Sequence, residues 1–274
     1  MTMTSDRSVP LPEAIVSISK ELKLQAFAQY AEYVKKDMST EEILLELLKA
    51  QKIINDDGKY KYRIKKAAFP VIKTLDTFKF DSKRLPYLNK DEVMELATCK
   101  FVEDKRNIVA LGPSGTGKSH LMTAICIEAI TKGYTVRFKR ASDVVNQMTE
   151  AADERILSKY IKNINACDIL FIDELGYLAF DPAGASLLFQ VFAARYEVKS
   201  TVVTSNLDFS QWVAILGNDK HMASALIGRL IDQSAVLNMN GENYRLYRTA
   251  SAKTRESEKK ADGTSNPSKA AIQS

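Results

Sequence analysis

Apolar residues return at steps of three and four over residues 13–36, where Ile15, Ile18, Leu22, Ala26, Phe27, Tyr30 and Val34 would share one face of an amphipathic helix. A second helix is predicted to open at Ser39. Ser39 and Glu42 have capping-box spacing, in which hydroxyl and carboxylate each satisfy a free backbone N–H of the first turn. Ile43, Leu44, Leu47 and Leu48 follow as an apolar stripe, and helical patterning runs on to Pro70. From about residue 76 the texture changes. Short β-branched runs at 107–111, 135–139, 169–172, 201–204 and 235–239 alternate with helical segments. Alternation of this kind predicts βαβ units and a mostly parallel, five-stranded sheet covered on both faces. The expected organisation is a flexible start (1–12), a helical domain (13–75), an α/β domain (76–249) and a tail (250–274). The tail is rich in Ser, Thr, Lys, Ala and Gly and has no large apolar residue except Ile272, so it is expected to be disordered.

The length of 274 residues allows one large domain or two smaller ones, and 45% apolar with 27% charged residues excludes fibrous and wholly disordered classes. A net charge of +5 is too mild to announce a nucleic-acid partner, but it is unevenly placed. Lys59, Lys61, Arg63, Lys65, Lys66 and Lys73 lie in a stretch, 58–73, without an acidic residue, which leaves the rest of the chain near neutrality. Lys59, Arg63 and Lys66 would share one helix face, with Lys61 and Lys65 on a second. Two such stripes suit a helix lying between phosphate backbones; a merely solvated face has the same pattern. Tyr60, Tyr62 and Phe69 interleave with them, as core or as stacking platforms.

Cys99, Cys126 and Cys167 are far apart and form no C-x-x-C pair, so neither a disulfide framework nor a zinc knuckle is expected. Together with the lack of a long apolar run or a signal-peptide pattern, this predicts a cytoplasmic protein with no membrane partner.

The chemistry is concentrated in one string. Gly112-Pro113-Ser114-Gly115-Thr116-Gly117-Lys118-Ser119 matches G-x-x-x-x-G-K-[ST], directly after a predicted strand and before a predicted helix. The glycines let the backbone wrap a phosphate chain with its N–H groups inward, at the positive end of a helix macrodipole. Lys118 would supply a point charge to the β and γ phosphates, and the Ser119 hydroxyl would ligate Mg²⁺. His120 opens the helix beside the nucleotide, as a structural rather than a catalytic residue. The run 169–172 ends in Asp173-Glu174, where open α/β sheets place their ligands. Asp173 would hold Mg²⁺ through water, and Glu174 would activate the attacking water. Asn206 closes the next strand, where it would position that water or serve as an ordinary turn residue.

This constellation resembles the AAA+ ATPases. The strings FVEDKRNIVALGPSGTGKSHL, LFIDELGYLAFD, ASLLFQVFAARYE, STVVTSNLDFSQW and GRLIDQSAVLNMNGENYRL, with KAAFPVIKTLDTFKF before them, closely resemble the IstB family, helper ATPases of insertion-sequence transposition related to the helicase loader DnaC. The likeness covers roughly residues 15 to 248. It implies a three-layer α/β/α P-loop domain, ATP and Mg²⁺ as cofactors, and an ATP-dependent homo-oligomer on double-stranded DNA that recruits and stimulates the transposase of the same element. It implies further that Arg229 is an arginine finger completing the neighbouring subunit's site, and that Arg245 contacts nucleotide in its own subunit. Gly228 stands where family members commonly carry Asp, and Ser119 where Thr is usual; the serine keeps the hydroxyl, whereas the glycine loosens the backbone that aims Arg229. Two classes stay open, a transposition helper that grips duplex DNA and a helicase loader that grips a protein. Glu174 argues against a third, a nucleotide switch without hydrolysis.

Overall fold

Each of the five β-branched runs becomes a strand in the computed structural model, which describes residues 10–244. The strands are β1 (Asn107–Leu111), β2 (Val136–Arg140), β3 (Ile169–Leu175), β4 (Ser200–Ser205) and β5 (Ser234–Asn238). They form one sheet in the order β2-β3-β4-β1-β5, and every neighbouring pair is parallel. β1 and β4 are buried along their whole length, which is why they read as unbroken apolar or β-branched runs rather than as alternating ones. Because β4 lies between β3 and β1, the ends of the three strands that carry the phosphate loop, the acid pair and Asn206 are neighbours.

The chain divides into two units between Lys65 and Lys66. The first unit holds α1 (Leu11–Glu21), α2 (Gln25–Ala28) and most of α3 (Thr40–Ala67). The periodic stretch 13–36 is therefore not one helix. It breaks at Lys23, which takes φ 58°, while Lys23 N–H donates to Lys20 O at 3.1 Å and Leu24 N–H to Ser19 O at 2.8 Å. This is a Schellman closure made by a lysine where glycine is usual, so composition gave no sign of it. Of the predicted apolar face, Ala26 is buried, whereas Ile15, Ile18 and Leu22 are exposed. The capping box forms as predicted: Glu42 N–H donates to Ser39 Oγ at 3.2 Å, and Ser39 N–H to Glu42 Oε2 at 2.7 Å. On α3 Leu47 is buried, Leu44 and Leu48 are exposed, and buried Gln51 accepts the Ala26 N–H at 3.0 Å. The helix ends at Ala67, and Ala68, φ 58°, turns the chain out of it two residues ahead of Pro70.

The division falls nearer the N-terminus than the expected 75/76 boundary, because the residues after α3 pack on the α/β unit. Phe69 meets Phe138 of β2 at 6.1 Å, and Phe78 meets His120 edge-on at 5.3 Å. The helices here are α4 (Lys90–Ala97), α5 (Lys100–Glu103), α6 (Lys118–Thr131), α7 (Ala141–Asp153), α8 (Leu157–Ile164), α9 (Pro182–Arg195), α10 (Trp212–Ile215) and α11 (Lys220–Ile231). Val109, Leu170, Ile172 and Val203 of the sheet pack with Met148 of α7, Leu188 of α9, Trp212 of α10 and Leu226 of α11. Alternate residues Ile108, Ala110, Phe171 and Val202 face the other way, and α6, buried on nearly every side, covers that face. The result is a three-layer α/β/α sandwich. Arg195 is 1% exposed and satisfies its charge on main-chain carbonyls, donating to Ser200 O at 2.6 Å, Asp168 O at 3.0 Å and Cys167 O at 3.3 Å. It ties the end of α9 to the starts of β3 and β4. Among the described residues no helix is long and apolar enough to cross a membrane.

Candidate functional site

The loop between β1 and α6 is built by glycines in conformations that other residues rarely adopt. Gly115 has φ 84° and Gly117 φ 105°. A Cβ at Gly117 would stand 3.1 Å from the Phe78 ring, and one at Gly112 would stand 2.5 Å from the Met239 carbonyl. The loop is anchored on both sides: Gly112 N–H donates to Ser205 O of β4 at 3.2 Å, and Thr116, fully buried, donates its hydroxyl to Pro113 O at 3.0 Å. Pro113 and Ser114 form its exposed crest. Lys118 leads α6 and turns back over the loop, its ammonium donating to Gly112 O at 2.6 Å and Pro113 O at 2.8 Å. An ammonium held by loop carbonyls lies where an entering phosphate chain would meet it.

The next residue reaches the acid pair. Ser119 Oγ donates to Asp173 Oδ1 at 2.7 Å, joining residues 54 apart in sequence. The pairing of β3 with β4 shifts register between Ile172 and Leu175, so that Asp173 and Glu174 together face one residue, Thr204. That bulge separates the two carboxylates. Asp173 is 6% exposed and turned inward, where the Thr204 hydroxyl also donates to it. Glu174, at φ 59°, is exposed, and its N–H donates to Thr204 Oγ1 at 3.0 Å. Its carboxylate lies 3.4 Å from the guanidinium of Arg140, the last residue of β2. Thr204 and Arg140 are site residues that the motifs did not reveal. A threonine inside a β-branched run and an arginine ending an edge strand have ordinary readings, and only the sheet order brings them here.

His120 packs outside the loop rather than on it. Thr77 Oγ1 gives its own proton to Thr74 O at 2.8 Å, so His120 Nε2 is the donor toward Thr77 Oγ1 at 3.1 Å and Thr74 O at 3.2 Å. Burial lowers the pKa of its imidazole, which favours the neutral ring. Asn206 sits exposed just past β4.

A model of the family described as IstB-like ATP binding protein matches residues 17–252. The chain belongs to that family. It is 40% identical over 221 residues to the putative ATP-binding protein of insertion sequence IS5376 from Geobacillus stearothermophilus, covering 81% of this chain and 86% of the relative. It is 33% identical over 230 residues to the counterpart in IS232 from Bacillus thuringiensis subsp. berliner, covering 82% and 91%. Among solved structures, AMPPCP-bound DnaA from Aquifex aeolicus superposes with TM-score 0.52 at 21% identity, over 67% of this chain and 55% of that one. DnaI superposes with TM-score 0.51 at 17% identity, over 61% and 90%. These likenesses give the fold, that of the AAA+ P-loop domain.

In this IstB-like protein the remaining predicted site residues are Arg229, Arg245 and the basic residues of α3. Arg229, on α11, stacks its guanidinium 4.9 Å from the Phe189 ring centroid and donates to Ala225 O at 3.2 Å. Neither of these contacts is with the phosphate loop, Asp173 or Glu174. Gly228 beside it is regular helix, its carbonyl accepting Asp232 N–H at 2.9 Å, and a Cβ there would touch nothing. Arg245 lies outside the described residues. The basic residues Lys59, Lys61, Arg63, Lys65 and Lys66 all fall on α3, but the patch is less bare than 58–73 alone implied. Asp56 lies 3.7 Å from Lys59, and Asp57 lies 2.7 Å from Lys61. Tyr62 is exposed, whereas Phe69 packs on β2.

Proposed function

We propose that this protein binds and hydrolyses ATP with Mg²⁺ at the phosphate loop and is a helper of DNA transposition. It assembles as a homo-oligomer on double-stranded DNA and recruits and stimulates the transposase encoded by the same element. The observation that carries the reading is that Lys118 and Ser119, after β1, and Asp173 and Glu174, ending β3, gather at the same end of the sheet with β4 between the two strands, in a chain of the IstB-like family. Lys118 meets the β and γ phosphates, and the loop N–H groups with the α6 dipole hold the chain of oxygens.

Adjacent hydroxyl and carboxylate oxygens suit a hard cation, so Mg²⁺ would be held by Ser119 and, through water, by Asp173, neutralising charge on the phosphates. Hydrolysis makes a bond from water oxygen to the γ phosphorus and breaks the bond to the β–γ bridging oxygen, releasing ADP and phosphate. Glu174 takes the water proton, and Asn206 positions the water. Arg229 enters a neighbouring subunit's site and meets the spreading charge of the transition state, a contribution of about 10³ to 10⁵ in rate for such fingers. Arg245 contacts the nucleotide of its own subunit. ATP binding is thereby linked to assembly, and hydrolysis to release.

The alternative, a helicase loader, rests on the resemblance of these motifs to a family related to the loader DnaC, while the basic α3 favours duplex DNA. Electron microscopy of the protein on duplex DNA, with ATP and with and without Mg²⁺, tests the reading. Oligomers that require ATP and persist in Glu174→Gln are expected. Assembly indifferent to nucleotide, or ATPase stimulated by a replicative helicase and not by duplex DNA, would overturn it.

A further inference from the structure

The segment that precedes the sheet and the segment that follows it meet beside the phosphate loop. After β5, Met239 N–H donates to Leu111 O at 2.7 Å, Glu242 N–H to Arg84 O at 3.0 Å, and Tyr244 N–H to Gly115 O at 2.9 Å. Gly241 is the only residue type that fits there, because any Cβ would collide with the Arg84 carbonyl. Asn243 lies against Gly115, whose missing side chain leaves it room. The chain therefore reaches residue 244 in direct contact with the loop that receives the phosphates.

The side chain of Arg84 closes this contact. It is 4% exposed, and its guanidinium carbon stands 4.7 Å from the centroid of the Tyr244 ring. Nη2 reaches Lys79 O at 3.5 Å, and Nη1 is buried without a hydrogen-bond partner among the described residues. Among the described residues no carboxylate lies within ion-pair distance of this buried guanidinium, and an apolar side chain of similar volume is expected to pack there at little cost in stability. Stability does not account for an arginine at this position. What the cation adds is its attraction for the face of Tyr244, an interaction strengthened by desolvation.

We infer that Arg84 is a positioning residue of the nucleotide site: it clasps Tyr244 against Gly115 and so fixes the chain directly before Arg245, the residue read as a nucleotide contact. The inference rests on the reading of Arg245 as a nucleotide contact, and it assigns the clasp a ligand chemistry, discrimination between a nucleoside triphosphate and a diphosphate. Met239, Glu242 and Tyr244 set the height of the segment through main-chain bonds, while Arg84 sets the rotation of its last ring.

Competition binding of ATP and ADP to full-length Arg84→Met, Arg245→Ala and the double variant tests this, with a thermal melt of each. Arg84→Met is expected to keep or raise the melting temperature while its preference for ATP over ADP falls about fivefold or more. The double variant should lose no more preference than Arg245→Ala alone, because both substitutions act on the same arginine–phosphate interaction. If Arg84→Met does not fold, Tyr244→Leu removes the same clasp from the other side and is read in the same way. An unchanged ATP preference in the clasp variant, beside a loss in Arg245→Ala, overturns the clasp and leaves the Arg245 reading standing. Losses that add in the double variant also overturn it. An Arg245→Ala protein with unaltered preference overturns both.

Discussion

The guanidinium of Arg140 lies 3.4 Å from the carboxylate of Glu174, across the boundary between the edge strand and its neighbour. Ion pairs within α3 link one turn of a helix to the next, whereas this one joins separate elements. Both side chains are about half exposed, 54% and 49%, and pairs in such surroundings contribute about 0.2–1 kcal/mol. A contact so weak adds little to folding but still competes with a water proton for the carboxylate. Arg140→Ala should leave the urea midpoint nearly unchanged and raise the basal ATPase rate by up to about fivefold, the equivalent of about 1 kcal/mol. Because the pair is screened by salt, the parental rate should climb with ionic strength and the variant's should not. Phosphate release measured at low and high salt decides it; parallel salt curves would remove Arg140 from the control of Glu174.

Thr204 holds both members of the acid pair, donating its hydroxyl to Asp173 and accepting the N–H of Glu174 at 3.0 Å. Thr204→Val keeps the shape of the side chain and deletes both bonds. The inward carboxylate and the bulge N–H are then each short of a partner, at about 1–3 kcal/mol for an unsatisfied buried group. The expected outcome is a lower urea midpoint together with a reduced turnover rate, since the bulge no longer fixes where Glu174 points. Thr204→Ser, which restores the hydroxyl, should recover most of the turnover. Equal turnover in the valine and serine variants would show that the hydroxyl does not set the geometry of Glu174.

The strands and the phosphate loop were legible because their signals are local. The glycines at 112, 115 and 117 are demanded by backbone shape, and the apolar run 169–172 by burial on both faces. The capping box at Ser39 was legible for the same reason, being complete within four residues. What escaped was set by neighbours distant in sequence. Nothing around Lys23 announces a left-handed residue, Thr204 looks like any strand threonine, and Arg140 meets Glu174 only through the pairing of β2 with β3. Asp56 and Asp57 stand just ahead of the acid-free stretch 58–73, and helical spacing brings them back onto Lys59 and Lys61.

The three cysteines are free and buried, and burial pushes the Cys99 thiol up to about 11 and raises those of Cys126 and Cys167. In the unfolded chain such thiols titrate near 8.5. The native state therefore binds more protons than the unfolded one between those values, so stability is fully present below about pH 8.5 and falls as pH rises through about 11. Urea midpoints measured from neutral to alkaline pH should decline across that window, and native protein should react with a thiol reagent far more slowly than protein in denaturant. Fast labelling of all three thiols under native conditions would contradict their burial.

The basic face of α3 can be divided by its own carboxylates. Lys59 and Lys61 have Asp56 and Asp57 at 3.7 and 2.7 Å, whereas no carboxylate among the described residues comes within ion-pair distance of Arg63 or Lys65. A phosphate approaching Lys61 meets the charge of Asp57 as well, which offsets part of the attraction and part of the counterion release. Binding through Arg63 and Lys65 carries no such offset. Replacing Arg63 and Lys65 with Gln should therefore flatten the log–log salt dependence of duplex binding by about 0.9 for each phosphate no longer neutralised, on all DNA sequences alike. Replacing Lys59 and Lys61 should flatten it by less, and adding Asp57→Asn to the parental protein should steepen it. Fluorescence anisotropy with a duplex across a salt series measures all three slopes. Identical slopes for every variant would mean that α3 is a solvated surface and that duplex DNA is held elsewhere.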